Sequence, residues 1–257
     1  MAHWLIPGFL FVLGAVIGSF LNVCIIRIPQ KKSIVFPSSH CPLCKKPIAF
    51  YDNIPLISYV VLNGRCRNCK APISFQYFLV ELITPLAYLT LYYYFGISWS
   101  CAISAIFSSA LIVITFIDFE HQIIPDVISL PAIPFFFLSS FIVPWITPFN
   151  SLMGIAAGGG ILYLIAKSYY LLRKEEGMGG GDIKLLAMIG AFLGWKGALL
   201  SLMLGACVGT VVGITMILLR GKNIKYALPF GPFLSIGAFC ALLWGNTIIS
   251  WYLNLGK

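Results

Sequence analysis

The stretch WLIPGFLFVLGAVIGSFLNVCII, residues 4–26, decides the fold, because it carries no charged side chain over a length that can span a bilayer. A membrane-spanning helix needs about 20 consecutive, mostly apolar residues. Seven further apolar runs lie at residues 77–96, 98–117, 125–144, 152–172, 183–195, 198–219 and 230–251. Together with the first run they predict seven to eight helices, with eight preferred. The run at 183–195 is short, which favours a tilted or re-entrant segment, or fusion with the next run.

The composition agrees with a membrane protein. Of the 257 residues, 60% are hydrophobic and 10% are charged, whereas soluble domains carry about 25% charged residues. Only helices and closed barrels satisfy their backbone polar groups in lipid, and no strand pattern is visible outside the loops. We therefore predict an all-α, polytopic transmembrane bundle. The first run lacks a basic region before it and a small-residue cleavage site after it, so we expect a retained helix.

The net charge of +9 is distributed in a way that predicts orientation. If the loop after the first helix is cytoplasmic, 15 of the 17 lysines and arginines fall on that side, which is all except Lys196 and Lys257. This is the bias of the positive-inside rule. The basicity therefore indicates topology, and we expect membrane lipid around the chain and no nucleic acid as a partner. The same topology places Asp118 and Asp182 on the cytoplasmic side.

Residues 28–76 form the one sizeable polar segment, and they contain CPLCKKPI at 41–48 and CRNCKAPI at 66–73. These are two copies of the pattern C-x-x-C-K-x-P-I. Each copy resembles a zinc knuckle, and four thiolates suit a tetrahedral structural zinc site that leaves no open position for substrate. The alternative is two disulfides, but a reducing cytoplasm favours the metal. The predicted zinc ligands are Cys41, Cys44, Cys66 and Cys69.

Two aspartates stand at the ends of apolar runs: Asp118 in ITFIDFEHQIIPD and Asp182 in EEGMGGGDIKLL. An ionised side chain at a bilayer centre costs about 3 kcal/mol by insertion scales, so such residues are candidates for function. Two carboxyls a few ångströms apart cannot both ionise cheaply, so the pair shares one proton. The ionised member can then take a proton from water while the protonated member polarises a carbonyl, as in aspartic proteases.

Other roles are open for several acids. Asp182 also suits the N-cap of its helix, whereas the helix dipole disfavours Asp118 at the end of its own helix. Asp126 follows Pro125 and is predicted to lie in a first helical turn, where the dipole favours an acid. Glu81 lies about one turn inside the second long helix. It either pairs with a basic loop residue or lines a cavity used by substrate.

With these features together, the chain resembles the type IV prepilin peptidases, which are bifunctional leader peptidases and N-methyltransferases. The resemblance runs nearly end to end and includes the paired C-x-x-C loop. The other matching segments are GSFLNVCIIRIP at 18–29, NIPLISYVVLNGRC at 53–66, IDFEHQIIPD at 117–126, GMGGGDIKLLAMIGAFLGW at 177–195 and PFGPFL at 229–234. The glycine-rich motif, the upstream aspartate and the four cysteines are specific in combination.

The resemblance implies a membrane aspartic protease whose catalytic pair is Asp118 and Asp182. It implies removal of a basic leader from prepilins and pseudopilins, after glycine, at the cytoplasmic face of the bacterial inner membrane. It further implies methylation of the new N-terminal residue with S-adenosylmethionine as donor. The corresponding division is a first transmembrane helix at 1–27, a zinc-binding loop implicated in methyl transfer at 28–76, and a transmembrane peptidase bundle at 77–257.

The chain departs from the family pattern at Gln76-Tyr77-Phe78, where the family often has Arg-Tyr-Pro. This departure lies in the region linked to methyl transfer, so a peptidase without methyltransferase activity is the first alternative. A proton-coupled transporter that uses the two aspartates as a relay is an alternative of another class. The halves of the chain show no clear inverted repeat, which counts against the transporter.

Overall fold

The computed structural model describes residues 4–174, 179–220 and 228–254, and these ranges contain eight α-helices. The helices are α1 Leu5–Arg27, α2 Ile57–Val61, α3 Phe75–Phe95, α4 Trp99–His121, α5 Asp126–Ser139, α6 Pro148–Arg173, α7 Gly180–Arg220 and α8 Gly231–Asn254. A 3-10 helix, Phe50–Asn53, precedes α2. The described ranges contain no β-strand, only two isolated bridges in the cysteine loop. The predicted all-α class is confirmed.

Six of these helices are long and apolar enough to cross a membrane, namely α1, α3, α4, α6, α7 and α8. The 14-residue α5 is apolar but shorter. The predicted runs at 183–195 and 198–219 are fused into α7, which has 41 residues and is interrupted at Gly194 with φ 73° and ψ 178°. Glycine adopts this positive φ without a steric penalty. The polytopic helical architecture is therefore confirmed, with the short run joined to its neighbour.

The chain forms two compact units, Met1–Val113 and Ile114–Lys257. In the N-terminal unit, α1 packs closely against α3. A Cβ atom added at Gly14 or at Gly18 would lie 2.5 or 2.9 Å from a backbone atom of α3. Small residues at such interfaces let two helix backbones approach each other. Because α1 precedes the cysteine loop and α3 follows it, this packing holds both ends of the loop together.

In the C-terminal unit, α7 packs against α5, α6 and α8. The tightest approach joins Gly154 of α6 to Gly190 of α7, where a Cβ atom on either glycine would overlap the other backbone. The Ser151 hydroxyl donates a hydrogen bond of 2.6 Å to the Ala191 carbonyl beside this contact. Phe192 contributes to the core of the unit, since it is fully buried. The packing fixes α7, whose first turn carries Asp182.

Candidate active site and metal centre

The cysteine loop brings its four predicted ligands together. The sulfurs of Cys41, Cys44, Cys66 and Cys69 all lie within 4.8 Å of one another. The Sγ atoms of Cys41 and Cys69 are 3.8 Å apart. A tetrahedral zinc ion with Zn–S bonds of about 2.3 Å separates its sulfurs by about 3.8 Å. The four thiols therefore form a group that could hold a metal ion, with spacing suited to tetrahedral coordination.

The two copies of the sequence repeat fold in the same way. In each copy, the N–H of the first cysteine donates to the carbonyl five residues later, at 2.8 to 3.0 Å. The N–H four residues after that cysteine donates back to the cysteine carbonyl, at 2.9 and 3.0 Å. The lysines at this fourth position, Lys45 and Lys70, have positive φ values of 58° and 59°. The repeated sequence thus encodes a repeated turn that presents two thiols.

The thiols differ in acidity because of their surroundings. Backbone hydrogen bonds from Cys44 and Leu43 lower the pKa of Cys41 to about 6. For Cys69, the backbone of Ala71 lowers the pKa, but desolvation and the neighbouring cysteines outweigh it and raise the pKa to about 11. Four thiolates in one cluster repel one another, and a central dication relieves that repulsion. The electrostatics of the cluster therefore fit a bound metal.

The loop has supports besides the cysteines. None of the eight cysteines, all of which lie in the described ranges, forms a disulfide. Arg67, between the two cysteines of the second turn, contacts both carboxylate oxygens of Asp52, with Nη2 to Oδ1 at 2.6 Å. This guanidinium holds the pKa of Asp52 below its ordinary value. It also lies 5.4 Å from the centre of the Tyr51 ring. The second turn is thereby anchored to the 3-10 helix.

Asp118 lies near the C-terminal end of α4 and is 5% exposed. Its Oδ2 atom accepts a hydrogen bond of 2.9 Å from the N–H of Gly231, the first residue of α8. The N-terminus of a helix favours an anion, because its first N–H groups are free to donate. A Cβ atom at Gly231 would lie 2.7 Å from Oδ2. The start of α8 therefore holds a carboxylate that the dipole of α4 itself disfavours.

Asp182 lies inside the first turn of α7, which begins at Gly180, and it is half-buried. Its carboxylate interacts electrostatically with that of Asp118. Both residues belong to the C-terminal compact unit. The preceding Gly181 lies against Ile124. A Cβ atom added at Gly181 would lie 2.8 Å from the Cβ atom of Ile124. The structure thus places the two predicted aspartates close enough for their charges to interact, while Gly177 and Met178 of the motif lie outside the described residues.

Two other acids, Asp126 and Glu81, have partners elsewhere. Asp126 begins α5, as predicted, and its Oδ1 atom forms an exposed ion pair of 2.6 Å with Nζ of Lys184. Glu81 forms no ion pair with a basic residue in the part of the chain that the structure describes. It is 8% exposed, and its Oε2 atom accepts a hydrogen bond of 2.8 Å from the backbone N–H of Leu56. No sequence pattern indicates this contact, because every backbone N–H is chemically alike.

Two family models match ranges of the chain that contain the cysteines and the aspartates. The model of the bacterial peptidase A24 N-terminal domain matches residues 12–95, and that of the type IV leader peptidase family matches residues 105–214. The first range contains the four cysteines and the second contains both aspartates.

Curated relatives match over most of the chain. The prepilin leader peptidase/N-methyltransferase of Aeromonas hydrophila is 36% identical, and the match covers 99% of this chain and 97% of that protein. A protein of the same name from Pseudomonas aeruginosa is 35% identical, with 95% and 92% covered. Another from Myxococcus xanthus is 38% identical, with 86% and 69% covered. No solved structure matches the chain.

Fold and site together define a helical protein with membrane-crossing helices, a four-cysteine loop and an interacting pair of aspartates. The family models and the relatives cover both the loop and the aspartates. The chain belongs to the type IV leader peptidase family.

Proposed function

We propose that the chain cleaves the basic leader from type IV prepilins and pseudopilins and then N-methylates the new N-terminal residue. Relatives named prepilin leader peptidase/N-methyltransferase align along nearly the whole chain, which supports both activities. The observation that carries the peptidase half is the electrostatic interaction between the carboxyls of Asp118 and Asp182. Both residues fall within the range matched by the type IV leader peptidase family.

The proposed cleavage step uses the two carboxyls as a unit. They share one proton, because two like charges held close together cannot both ionise cheaply. The ionised carboxylate takes a proton from a water molecule, whose oxygen attacks the carbonyl carbon of the scissile peptide bond. The protonated carboxyl donates a hydrogen bond to the carbonyl oxygen, and a proton then passes to the departing amine. The burial of Asp118 and its bond to Gly231 support this role, because they fix one carboxylate in place.

The second proposed reaction transfers a methyl group to the amine that cleavage exposes. S-adenosylmethionine supplies this methyl group when it is bound. The amine would attack in its neutral form: as the new N–CH3 bond forms, the S–CH3 bond of the sulfonium would break, S-adenosylhomocysteine would leave, and the methylated amine would release a proton. A peptidase without this activity is the second candidate, because Gln76-Tyr77-Phe78 replaces the Arg-Tyr-Pro that the family often carries in this region.

We propose zinc as the metal of the cysteine loop. Four sulfurs at mutual distances below 4.8 Å suit a thiolate-loving ion with tetrahedral geometry. Four protein ligands fill the coordination sphere, so the ion would stabilise the loop and would not bind substrate. The ligands would be Cys41, Cys44, Cys66 and Cys69.

We further propose that the chain lies in the bacterial inner membrane, with the cysteine loop and both aspartates on the cytoplasmic side. The positive-inside bias of the sequence supports this orientation. A leader that stays in the cytoplasm while its pilin helix spans the bilayer would then meet the aspartates. The proposed functional division is residues 1–27 as the first membrane helix, 28–76 as the zinc loop that serves methyl transfer, and 77–257 as the peptidase bundle.

Mass spectrometry of a prepilin incubated with the purified chain and isotopically labelled S-adenosylmethionine tests both activities at once. We expect a product that has lost its leader and gained one labelled methyl group. A cleaved product without the label would establish the peptidase-only alternative. An intact prepilin, in a reaction that a curated relative completes under the same conditions, would reject the proposed function.

A further inference from the structure

Leu56 adopts a backbone conformation that leucine rarely accepts. Its φ is 64° and its ψ is −51°. The N–H of Ile57 donates a hydrogen bond of 2.7 Å to the carbonyl of Pro55, across Leu56. These values define the γ-turn with positive φ, which is rare and strained. For a residue with a bulky side chain, such an outlier persists only when surrounding contacts hold it.

The contact that holds this turn is made by Glu81. Its Oε2 atom accepts the N–H of Leu56 at 2.8 Å. The Cα atom of Glu81 packs directly against α1 at Gly18, where an added Cβ would lie 2.9 Å away. The strained turn is therefore fastened to a closely packed part of the α1–α3 pair.

The turn sets the direction of the chain that leads to the second cysteine turn. Leu56 immediately precedes α2, and Tyr59 in α2 packs against Phe78 of α3, with ring centroids 5.4 Å apart. Gly64 and Ile73 flank the second cysteine pair, and the N–H of Ile73 donates a hydrogen bond of 2.7 Å to the carbonyl of Gly64. A change at the γ-turn would therefore alter how the second half of the loop lies on α3.

We propose that Glu81 is a positioning residue, whose carboxylate holds the γ-turn at Leu56 and thereby docks the cysteine loop onto α3. A carboxylate in an apolar helix is costly, and this contact supplies a reason for its presence. The consequence for activity rests on the proposed function, in which the loop serves methyl transfer. The structural part of the proposal is tested independently of any activity.

Hydrogen exchange of the whole chain in nanodiscs tests the contact. The exchange rates of the segment 53–66 are measured and compared with those of the same peptide in its unstructured form. Glu81→Ala removes the acceptor, whereas Glu81→Gln keeps a side-chain oxygen that can accept the same N–H. Glu81→Ala should speed exchange at Leu56 by roughly tenfold to a hundredfold, and the acceleration in Glu81→Gln should be at least about threefold smaller than that in Glu81→Ala. Unchanged exchange in Glu81→Ala, or equal acceleration in both variants, would overturn the proposal.

A second variant tests the strain itself. Leu56→Gly removes the steric penalty of a positive φ. In the Leu56→Gly background, Glu81→Ala should therefore accelerate exchange in the rest of the segment several-fold less than in the native background. Asn63→Gly is the matched control, because Asn63 also has a positive φ, of 49°, but its N–H donates to the Val60 carbonyl. If both glycine variants reduce the acceleration caused by Glu81→Ala equally, or if Leu56→Gly does not reduce it, the proposal is contradicted.

Activity separates positioning from a direct role of the charge. Glu81→Ala should lower methylation about tenfold or more and leave leader cleavage within about twofold, while Glu81→Gln keeps most of the methylation. A Glu81→Gln variant with a protected loop but no methylation would show that the charge itself acts, and positioning would be rejected. If the native chain neither cleaves nor methylates, the proposed function fails, and the exchange measurements alone decide the contact between Glu81 and Leu56.

Discussion

Each aspartate of the candidate pair lies beside the N-terminus of a helix. Asp182 is in the first turn of its own helix, α7, where the dipole favours a negative charge. Asp118 is near the end of α4, where the dipole disfavours one, but the first N–H of α8 donates to its carboxylate. The fold thereby places two like charges in one region of the C-terminal unit and gives each a separate source of stabilisation. Gly231 is the residue that makes the second arrangement sterically feasible.

Gly231→Ala should lower the rate of leader cleavage by about tenfold to a hundredfold. The new Cβ atom would lie 2.7 Å from Oδ2 of Asp118, closer than real Cβ atoms approach oxygen, so the carboxylate must move. A displacement of about 1 Å at a reacting group can cost a hundredfold in rate. The measurement is the initial rate of leader removal from a purified prepilin, followed by mass spectrometry.

The matched control for Gly231→Ala is Gly160→Ala, in the middle of α6. An added Cβ at Gly160 meets no atom within 4 Å, so the rate of leader cleavage should stay within about twofold. A Gly231→Ala enzyme that cleaves at the native rate would show that the position of the Asp118 carboxylate does not limit the reaction.

At the scale of elements, α7 depends on one glycine for its change of direction. Gly194→Ala should lower the thermal stability of the chain, because a side chain at φ 73° is strained by about 1–3 kcal/mol. Gly8→Ala is the control, since Gly8 lies in regular helix with no atom within 4 Å of an added Cβ. Its melting temperature should be unchanged or slightly higher. The measurement is Tm by circular dichroism in nanodiscs, and equal Tm values for the two variants would contradict this account of the kink.

The cysteine loop is the element for which removal of metal should matter most. Cys41→Ser should abolish stoichiometric zinc binding and increase tryptic cleavage within the loop, because a structural metal contributes directly to folding. Metal content by mass spectrometry and limited proteolysis measure the two effects. Cys207→Ser, at an exposed position on α7, is the control and should leave both unchanged. Retention of one equivalent of zinc by Cys41→Ser would exclude the cysteine cluster as its site.

The elements were largely predictable from the sequence, because the length of an apolar run directly reflects the thickness of a bilayer. Seven of the eight runs correspond to separate helices or to the second half of α7, and the short run forms the first half of α7. The sequence left open whether that run is tilted, re-entrant or fused. Gly194 can break a helix or let it continue with a kink, and neighbouring helices decide between these outcomes.

At the scale of the whole molecule, the site was predictable where chemistry alone marks a residue. The two aspartates and the four cysteines stand out because a charge in an apolar run is costly and paired C-x-x-C motifs bind metals. Their partners were not predictable. Gly231 is 113 residues from Asp118, and Glu81 contacts a backbone N–H 25 residues away. Such contacts depend on tertiary packing, for which local sequence carries no signal.

The central claim is that Asp118 and Asp182 act as one unit in peptide hydrolysis. Residues that act as a unit show strongly non-additive losses, so removing either one costs about as much as removing both. Asp52→Asn, the same carboxyl-to-amide change in the N-terminal unit, is the control and should still cleave. Circular dichroism and retained zinc establish that each variant is folded.

The most direct test is the rate of prepilin cleavage by Asp118→Asn, Asp182→Asn and the double variant, measured by mass spectrometry of the product. We predict that all three lose cleavage to the same background level. Substantial cleavage by either folded single variant, or a double variant far slower than both single ones, would contradict the claim.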